Sequence, residues 1–202
     1  MGGSVFDPAY FDILKEIGNI GAGNAATSLA KMIGRKVDMS IPKVQIVGFG
    51  EVADILGGAE KEVIGILVAI GGDVSGLIMF IADRADADKV LDMLLGDARG
   101  PGPGYGEMEA SALKEAGNIM TGAYVGALSM LTGLRIEPSI PDLSADMAGA
   151  ILSVPAIMFG QVGDHVLFIE TRFEGETSVS GNFFLIPDHG SYGVLLKALG
   201  VD

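Results

Sequence analysis

Two pairs of polar residues share one spacing and could carry out chemistry. Glu16 precedes Asn19 by three positions, and Glu115 precedes Asn118 by the same interval. On a helix, residues three apart lie on one side. A carboxylate can bind a cation, and a carboxamide can both donate to and accept from a water molecule without titrating. Each pair therefore presents a carboxylate and a carboxamide on one side of a helix, although solvated surface residues or a local hydrogen bond from Asn19 to a turn would give the same pattern.

The pairs belong to a segment that occurs twice. Residues 14–42 and 113–141 align without a gap, 99 positions apart, and 12 of the 29 aligned pairs are identical. Average residue usage would give about two identities. The chain is therefore a tandem duplication, in which both copies keep the Glu, the Asn and a final Ser-Ile-Pro ending at Pro42 and Pro141. Because the residues between them have diverged, retention of these polar residues favours a function.

Helical spacing extends each pair into a stripe. The residues at intervals of four, three and four lie on one side of a helix. The stripes consist of Asp12, Glu16, Asn19 and Gly23 in the first copy, and of Ser111, Glu115, Asn118 and Gly122 in the second. Gly18 and Gly117 lie beside them, where a glycine costs a helix about 1 kcal/mol relative to alanine. We expect the missing side chain to let another backbone approach each helix closely.

Hydrophobic periodicity predicts the same element order in both copies. The first copy is predicted to contain a helix over residues 11–32 with Gly34 as C-cap, strands over 36–41, 44–47, 63–70 and 77–81, a hairpin turn at 71–73, and a helix from an Asp83 N-cap to Gly96. The second is predicted to contain a helix over 109–132, a strand over 134–140, a mixed apolar segment over 143–159, a hairpin formed by 165–172 and 178–186, and a helix over 192–199.

These elements predict an α/β fold built from a tandem duplication. Each half has the order helix, strands, helix, and a pseudo-two-fold arrangement around a shared β-sheet core is the most economical packing. We expect a single domain over residues 1–202, made of a first repeat (1–96), a Gly/Pro-rich linker (97–106) and a second repeat (107–202).

Composition excludes several classes of protein. Hydrophobic residues make up 49% of the 202 and charged residues 19%, which excludes general disorder. The net charge of −13 argues against binding nucleic acid or an anionic membrane surface. With no cysteine and no visible signal peptide, we expect a cytoplasmic protein. Residues 116–134 carry no charge, but their polar residues and glycines favour a buried helix over membrane insertion.

Other chemical patterns are weaker. The sequence from Gly21 to Ala26 fits the GxGxxA pattern of dinucleotide-binding loops. Such a loop must follow a strand and open a helix, whereas here the preceding residues are already helical. His165 and His189 are far apart and have no cysteine near them, so no metal site is predicted.

The spacing of the two stripes resembles the signature of the CheC/CheX/FliY family of chemotaxis phosphatases. That signature runs Asp or Ser, three residues, Glu, two residues, Asn, twenty-two residues and Pro. Asp12, Glu16, Asn19 and Pro42 match it once, and Ser111, Glu115, Asn118 and Pro141 match it again. Two complete signatures make the chain most similar to the CheC type, since CheX carries one such site and FliY adds a flagellar-switch domain.

The resemblance implies an activity and a division of roles. The substrate would be the aspartyl-phosphate of the response regulator CheY. Asn19 and Asn118 would position the attacking water, and Glu16 and Glu115 would pair with a lysine of the regulator. No cofactor would be bound by this chain, because Mg²⁺ would be held by the regulator's own carboxylates. The family fold is α/β with pseudo-two-fold symmetry.

The resemblance also implies a second partner, the receptor deamidase CheD. The two copies diverge most after the Ser-Ile-Pro triplet, where residues 143–159 contain Met147, Ile151 and Met158 near Asp146. This segment is either a core helix or an apolar docking surface for CheD beside Asp146. Two functional alternatives stay open: a non-catalytic module that sequesters phosphorylated CheY or regulates CheD, and an inactive flagellar-switch component.

Overall fold

A computed structural model describes residues 8–40, 42–99, 104–159, 165–174 and 179–200. The helices are α1 (Pro8–Ile33), α2 (Val52–Ile55), α3 (Arg84–Leu95), α4 (Glu107–Thr132), α5 (Ala148–Phe159) and α6 (His189–Ala198). The strands are β1 (Asp38–Met39), β2 (Lys43–Gly48), β3 (Glu62–Gly72), β4 (Gly76–Asp83), β5 (Ile136–Pro138), β6 (Asp142–Met147), β7 (His165–Glu174) and β8 (Val179–Pro187).

All eight of these strands form one sheet in which the repeats exchange their first strands. The sheet order is β1-β7-β8-β4-β3-β5, with β2 also paired to β7 and β6 also paired to β3. Every pair is antiparallel. Strands β1 and β2 of the first repeat therefore pair with the hairpin of the second, and β5 and β6 of the second pair with the hairpin of the first. The predicted fold class, with a sheet core shared by both halves, is confirmed.

A pseudo-two-fold axis crosses the middle of the sheet between β4 and β8. Gly76 and Gly181 are counterparts in the two repeats, because each ends the sequence Val-Ser-Gly. Met79 and Phe184, each three residues further on, are therefore counterparts as well. These two residues are also directly paired in the β4–β8 register, and both are fully buried. Counterparts that pair with each other lie on the axis, so the helices α1 and α4, which the axis relates, run antiparallel.

Alternating side chains divide the core into two layers. On β4, Ile78 and Phe80 pack with α1, α3, α4 and α6, whereas Met79 and Ile81 pack on the opposite face with α2 and α5. This is the period of two expected of a strand buried on both faces. The long helices α1 and α4 pack against each other on the first of these faces.

The predicted elements are present, with different boundaries. The strands predicted over 36–41 and 134–140 are wrong in length, since only Asp38–Met39 and Ile136–Pro138 pair, and Ile41 lies outside the described residues. The hairpin turn predicted at 71–73 falls at 73–75 because β3 continues to Gly72. The second hairpin turn lies outside the described residues.

The apolar segment 143–159 divides between two elements. Its first part is strand β6, which pairs with β3, and its second part is α5, whose Ile151 and Leu152 are buried in the core. The interpretation as a core helix is therefore right for the buried side of α5. The side chains of Met147 and Met158 remain about half exposed.

The predicted caps of two helices, the C-cap of α1 and the N-cap of α3, differ in how the structure bears them out. Gly34 follows α1 with φ of +67°, and its retained counterpart Gly133 follows α4 with φ of +71°. Glycine adopts this left-handed conformation without a Cβ penalty, so the prediction of a glycine C-cap is confirmed. Asp83 occupies the N-cap position of α3, but its side chain does not cap the helix and instead pairs with Lys61 at 2.7 Å.

The apolar stretch of the second repeat lies in α4, whose inner side is buried against the sheet. Among the described residues, no helix is long and apolar enough to cross a membrane.

Candidate functional site: two exposed Glu-Asn stripes

The structure places both predicted stripes on the outer surfaces of α1 and α4, away from the sheet. All eight residues of the stripes are exposed. The glycines beside the pairs, Gly18 and Gly117, are buried on the opposite, sheet-facing side. The helical spacing therefore brings each glutamate and asparagine together on one accessible face, as the sequence predicts, and leaves the two faces related by the pseudo-two-fold axis.

The functional side chains of both stripes are available to a partner. Within the part of the chain that the structure describes, Glu16, Asn19, Glu115 and Asn118 form no side-chain hydrogen bond or ion pair. The local alternative, in which Asn19 bonds a neighbouring turn, therefore finds no support there. A carboxylate and a carboxamide with free donors and acceptors can bind a cation and a water on the same surface.

Gly18 lets α1 pack closely on strand β2. A Cβ atom added at this position would lie 2.7 Å from Val44 Cγ2 and 3.4 Å from Pro42 Cγ. The first of these distances is shorter than a van der Waals contact allows. Gly18 therefore fixes the height above the sheet of the helical turn that carries Asn19, and Pro42 forms part of the surface beneath it.

Gly117 has the equivalent role against a strand of the other repeat. A Cβ atom at this position would lie 2.5 Å from Ile66 Cγ2, and Ile66 belongs to β3. The expectation that another backbone approaches these glycines is therefore wrong, because strand side chains occupy the space. The side chains that Gly18 meets belong to its own repeat, whereas the Ile66 side chain that Gly117 meets belongs to the other repeat.

The serine of each Ser-Ile-Pro triplet binds the segment beside the site helix to the hairpin of the other repeat. The Ser40 amide donates to the Arg172 carbonyl oxygen at 3.1 Å, and the Ser139 amide donates to that of Ala69 at 2.8 Å. The Ser139 hydroxyl additionally accepts from the Ala69 amide at 3.0 Å. Arg172 lies in β7 and Ala69 in β3, so both serines bind the hairpin of the opposite repeat. The retained triplet is the sequence signal for these positioning residues, although nothing in the sequence identifies the strand that they bind.

Tyr124 holds the two site helices together. Its ring stacks on Phe183 of β8 with centroids 4.3 Å apart, and a Cβ added at Gly21 of α1 would collide with the same ring. Tyr124 corresponds to Ala25 in the first copy, and Gly21 corresponds to Met120 in the second. Both of these counterparts are also buried. At both positions α1 has the small residue and α4 the large one, so the two copies have diverged in side-chain volume where the helices meet. Gly21 therefore has a packing role.

Because the GxGxxA sequence lies inside α1, it cannot form a dinucleotide-binding loop.

Two lysines near the stripes form long, exposed ion pairs with acidic side chains. Lys15 lies 3.8 Å from Asp12, and Lys114 lies 3.8 Å from Asp142. Such exposed pairs contribute little to stability. Among the described residues, no group of three or more His, Cys, Asp or Glu side chains could hold a metal ion. Each of the two surfaces thus offers one exposed carboxylate and one exposed carboxamide.

Comparison with known proteins gives consistent matches. The family model described as CheC-like family matches residues 12–46 and 108–144, which contain the two stripes and their prolines. The CheY-P phosphatase CheC of Bacillus subtilis is 37% identical over 94% of this chain and 93% of its own length. The flagellar motor switch phosphatase FliY of the same organism is 30% identical over 64% of this chain and 34% of its own length.

Solved structures share the architecture. The crystal structure of Thermotoga maritima FliY superposes with a TM-score of 0.73 at 24% identity, covering 98% of each chain. At 24% identity, this match shows that the two chains share a fold.

The packing of Gly18 yields a prediction about stability. Gly18→Ala should lower the melting temperature in calorimetry, because the new methyl group meets Val44, and overpacking costs about 1–3 kcal/mol. Gly126→Ala is the control: Gly126 lies in α4 with nothing within 4 Å of an added Cβ, so alanine should stabilise the helix by up to about 1 kcal/mol.

A double-mutant cycle with Val44→Ala separates the collision from other effects. Truncation of Val44 removes the atom that the methyl group meets, so Gly18→Ala should be less destabilising in that background. Additive changes in unfolding free energy would contradict the assigned contact.

Proposed function

The chain belongs to the CheC-like family, and on that basis we propose that it is a phosphatase that hydrolyses the aspartyl-phosphate of the response regulator CheY. The observation that supports this most strongly is the pair of exposed Glu-Asn stripes, which present the same unengaged side chains twice. A relative of similar length, 37% identical, is named as a CheY-P phosphatase. We propose that it acts in the cytoplasm, where a response regulator works.

Hydrolysis of an acyl-phosphate needs little covalent chemistry from the phosphatase. The leaving group is a carboxylate, so a water held in line with the breaking P–O bond is the main requirement. Water oxygen bonds to phosphorus, the bond from phosphorus to the aspartate oxygen breaks, and the products are inorganic phosphate and a free aspartate. The Asn19 or Asn118 carboxamide orients the water, accepting from it and donating to it.

The remaining groups of the site serve docking and charge. Glu16 and Glu115 pair with a lysine of the regulator and so fix the asparagine relative to the phosphoryl group. Mg²⁺ would be held by the regulator's own carboxylates, where it would neutralise phosphoryl charge, and no residue of this chain is proposed to bind it. The other signature residues support the site. Asp12 and Ser111 belong to the exposed stripes, and Pro42 and Pro141 are buried in the segments beside the helices.

A non-catalytic alternative uses the same surfaces. A module that only sequesters phosphorylated CheY would also need the glutamates for docking, but it would not need an unengaged asparagine at the same place in both copies. Measurement of regulator dephosphorylation with a small amount of the protein distinguishes the two. A sequestering module can affect only as many regulator molecules as it has binding sites, whereas a phosphatase dephosphorylates many regulator molecules per site.

CheD is the second proposed partner, and the exposed residues of segment 143–159 around Asp146 are the proposed docking site. Asp146 and Met147 are exposed at the end of β6, and Ile157 and Met158 are exposed at the end of α5. The first repeat has only the four-residue helix α2 in place of α5. A surface that only one repeat provides suits a partner that binds one molecule per chain. Apolar residues beside an acid are typical of a docking site.

Replacement of both asparagines tests the mechanism. Asn19→Ala combined with Asn118→Ala should return phosphate release from CheY to the regulator's own rate, a loss of at least about 100-fold, because the water is no longer positioned. Each single variant should keep part of the activity. Unchanged melting temperature is expected, since both side chains are exposed. A double variant that still accelerates phosphate loss would exclude this role.

Replacement of both glutamates tests docking. Glu16→Gln with Glu115→Gln should weaken binding to phosphorylated CheY by up to about tenfold, and the remaining affinity should depend less on salt, because a charge pair has been removed. The measurement is a titration at several ionic strengths. Lost turnover with unchanged affinity would assign the glutamates to chemistry instead.

A charge reversal tests the CheD surface. Asp146→Arg should weaken CheD binding by at least about tenfold while CheY dephosphorylation stays unchanged. Asp54→Arg is the matched control, because Asp54 is an exposed acid on α2 in the other repeat. Equal CheD affinity and stoichiometry for wild type and Asp146→Arg would place the CheD site elsewhere.

A further inference from the structure

The middle residue of the retained Ser-Ile-Pro triplet has no structural role in the second repeat. Ser139 binds β3 through its amide and hydroxyl, and Pro141 is buried. Ile140 between them is 89% exposed, the highest value among the large hydrophobic residues that the structure describes. A single exposed isoleucine is common on protein surfaces. An isoleucine kept in both copies while half of the segment changed calls for a specific contact; its counterpart Ile41 lies outside the described residues.

Ile140 lies beside the second Glu-Asn stripe. The link that carries it joins β5 to β6, and α4 packs against both of these strands. Asp142, two residues further along the chain, lies 3.8 Å from Lys114, the residue that precedes Glu115. The link that carries Ile140 therefore lies against α4, near the turn that carries Glu115.

A second apolar side chain extends the stripe itself. Met108 precedes Ser111 by three residues and Glu115 by seven, so it lies on the same side of α4. Its side chain is 55% exposed. The polar centre of the second site is therefore bordered by Met108 along the helix and by Ile140 on the adjoining link.

We propose that Ile140 is an apolar anchor of the docking surface, which Met108 extends, and that it buries against an apolar patch beside the phosphorylated aspartate of the regulator. This inference rests on the proposed phosphatase function. A chain with a net charge of −13 approaching a phosphoryl group needs a short-range attraction that does not depend on charge. Burial of apolar side chains provides such an attraction, whereas exposed ion pairs alone contribute little.

The test uses a chain in which only the second site turns over. In an Asn19→Ala background, Ile140→Ala should raise KM for phosphorylated CheY roughly tenfold, the factor expected for losing one buried isoleucine contact. The value of kcat should stay nearly unchanged, because the contact is made equally in the bound substrate and in the transition state. The melting temperature should not fall, since the side chain touches little in the free protein.

A matched isoleucine provides the control. Ile55 is 37% exposed on α2, on the opposite face of the sheet, so Ile55→Ala should leave KM unchanged. An unchanged KM for Ile140→Ala would overturn the proposal. A KM change that coincides with altered oligomeric state in sedimentation would also overturn it, by assigning Ile140 to contact with a second copy of the chain.

Direct binding separates this inference from the proposed catalysis. The Asn19→Ala, Asn118→Ala variant should bind beryllofluoride-treated CheY, and adding Ile140→Ala should reduce that affinity roughly tenfold at the second site. If the double asparagine variant still hydrolyses phosphorylated CheY, the mechanism fails while the docking result stands. If hydrolysis is lost but Ile140→Ala binds as before, the docking proposal alone fails.

Discussion

The exchange of first strands between the repeats is the constraint on which the rest of the structure depends. Strands β1 and β2 have their ladder partner in β7, and β5 and β6 have theirs in β3. Because an unpaired strand edge exposes backbone donors and acceptors, neither repeat can satisfy its own sheet alone. The exchange therefore joins both repeats in one sheet, and the symmetry axis lies inside the core at Met79 and Phe184.

The same exchange determines how each site is supported. The asparagine turns of α1 and α4 are held at fixed height by Gly18 and Gly117, which pack against Val44 and Ile66. Val44 lies in an exchanged strand, and Ile66 lies in the strand that receives one. Correct positioning of either asparagine thus requires both repeats, although all the polar residues of a stripe come from one helix.

Local patterns in the sequence predict much of this fold and of the site. The two long helices, the hairpin strands and the exposed stripes follow from periodicity, and the duplication identifies the retained pairs without any alignment of homologues. The pairing of β2 with β7 could not be predicted, because register between distant strands depends on contacts that leave no local pattern. Residues 143–159 were ambiguous for a related reason: a short apolar run fits a strand or a helix, and here it contains one of each. The environment of Gly18 was also inaccessible, since a glycine does not show which atoms approach it.

Strand exchange has a consequence during protein synthesis. The ribosome completes β2 at Gly48, but the strand that receives it ends at Glu174. At about 5–20 residues per second, the nascent chain waits on the order of 10 seconds for its partner to be made. During this interval the apolar strands β3 and β4 have emerged, while β8 has not yet been synthesised to cover the edge of β4. The first half of the chain is therefore exposed to aggregation during translation, and a nascent-chain chaperone that binds apolar strands would act on this protein before its second half leaves the exit tunnel.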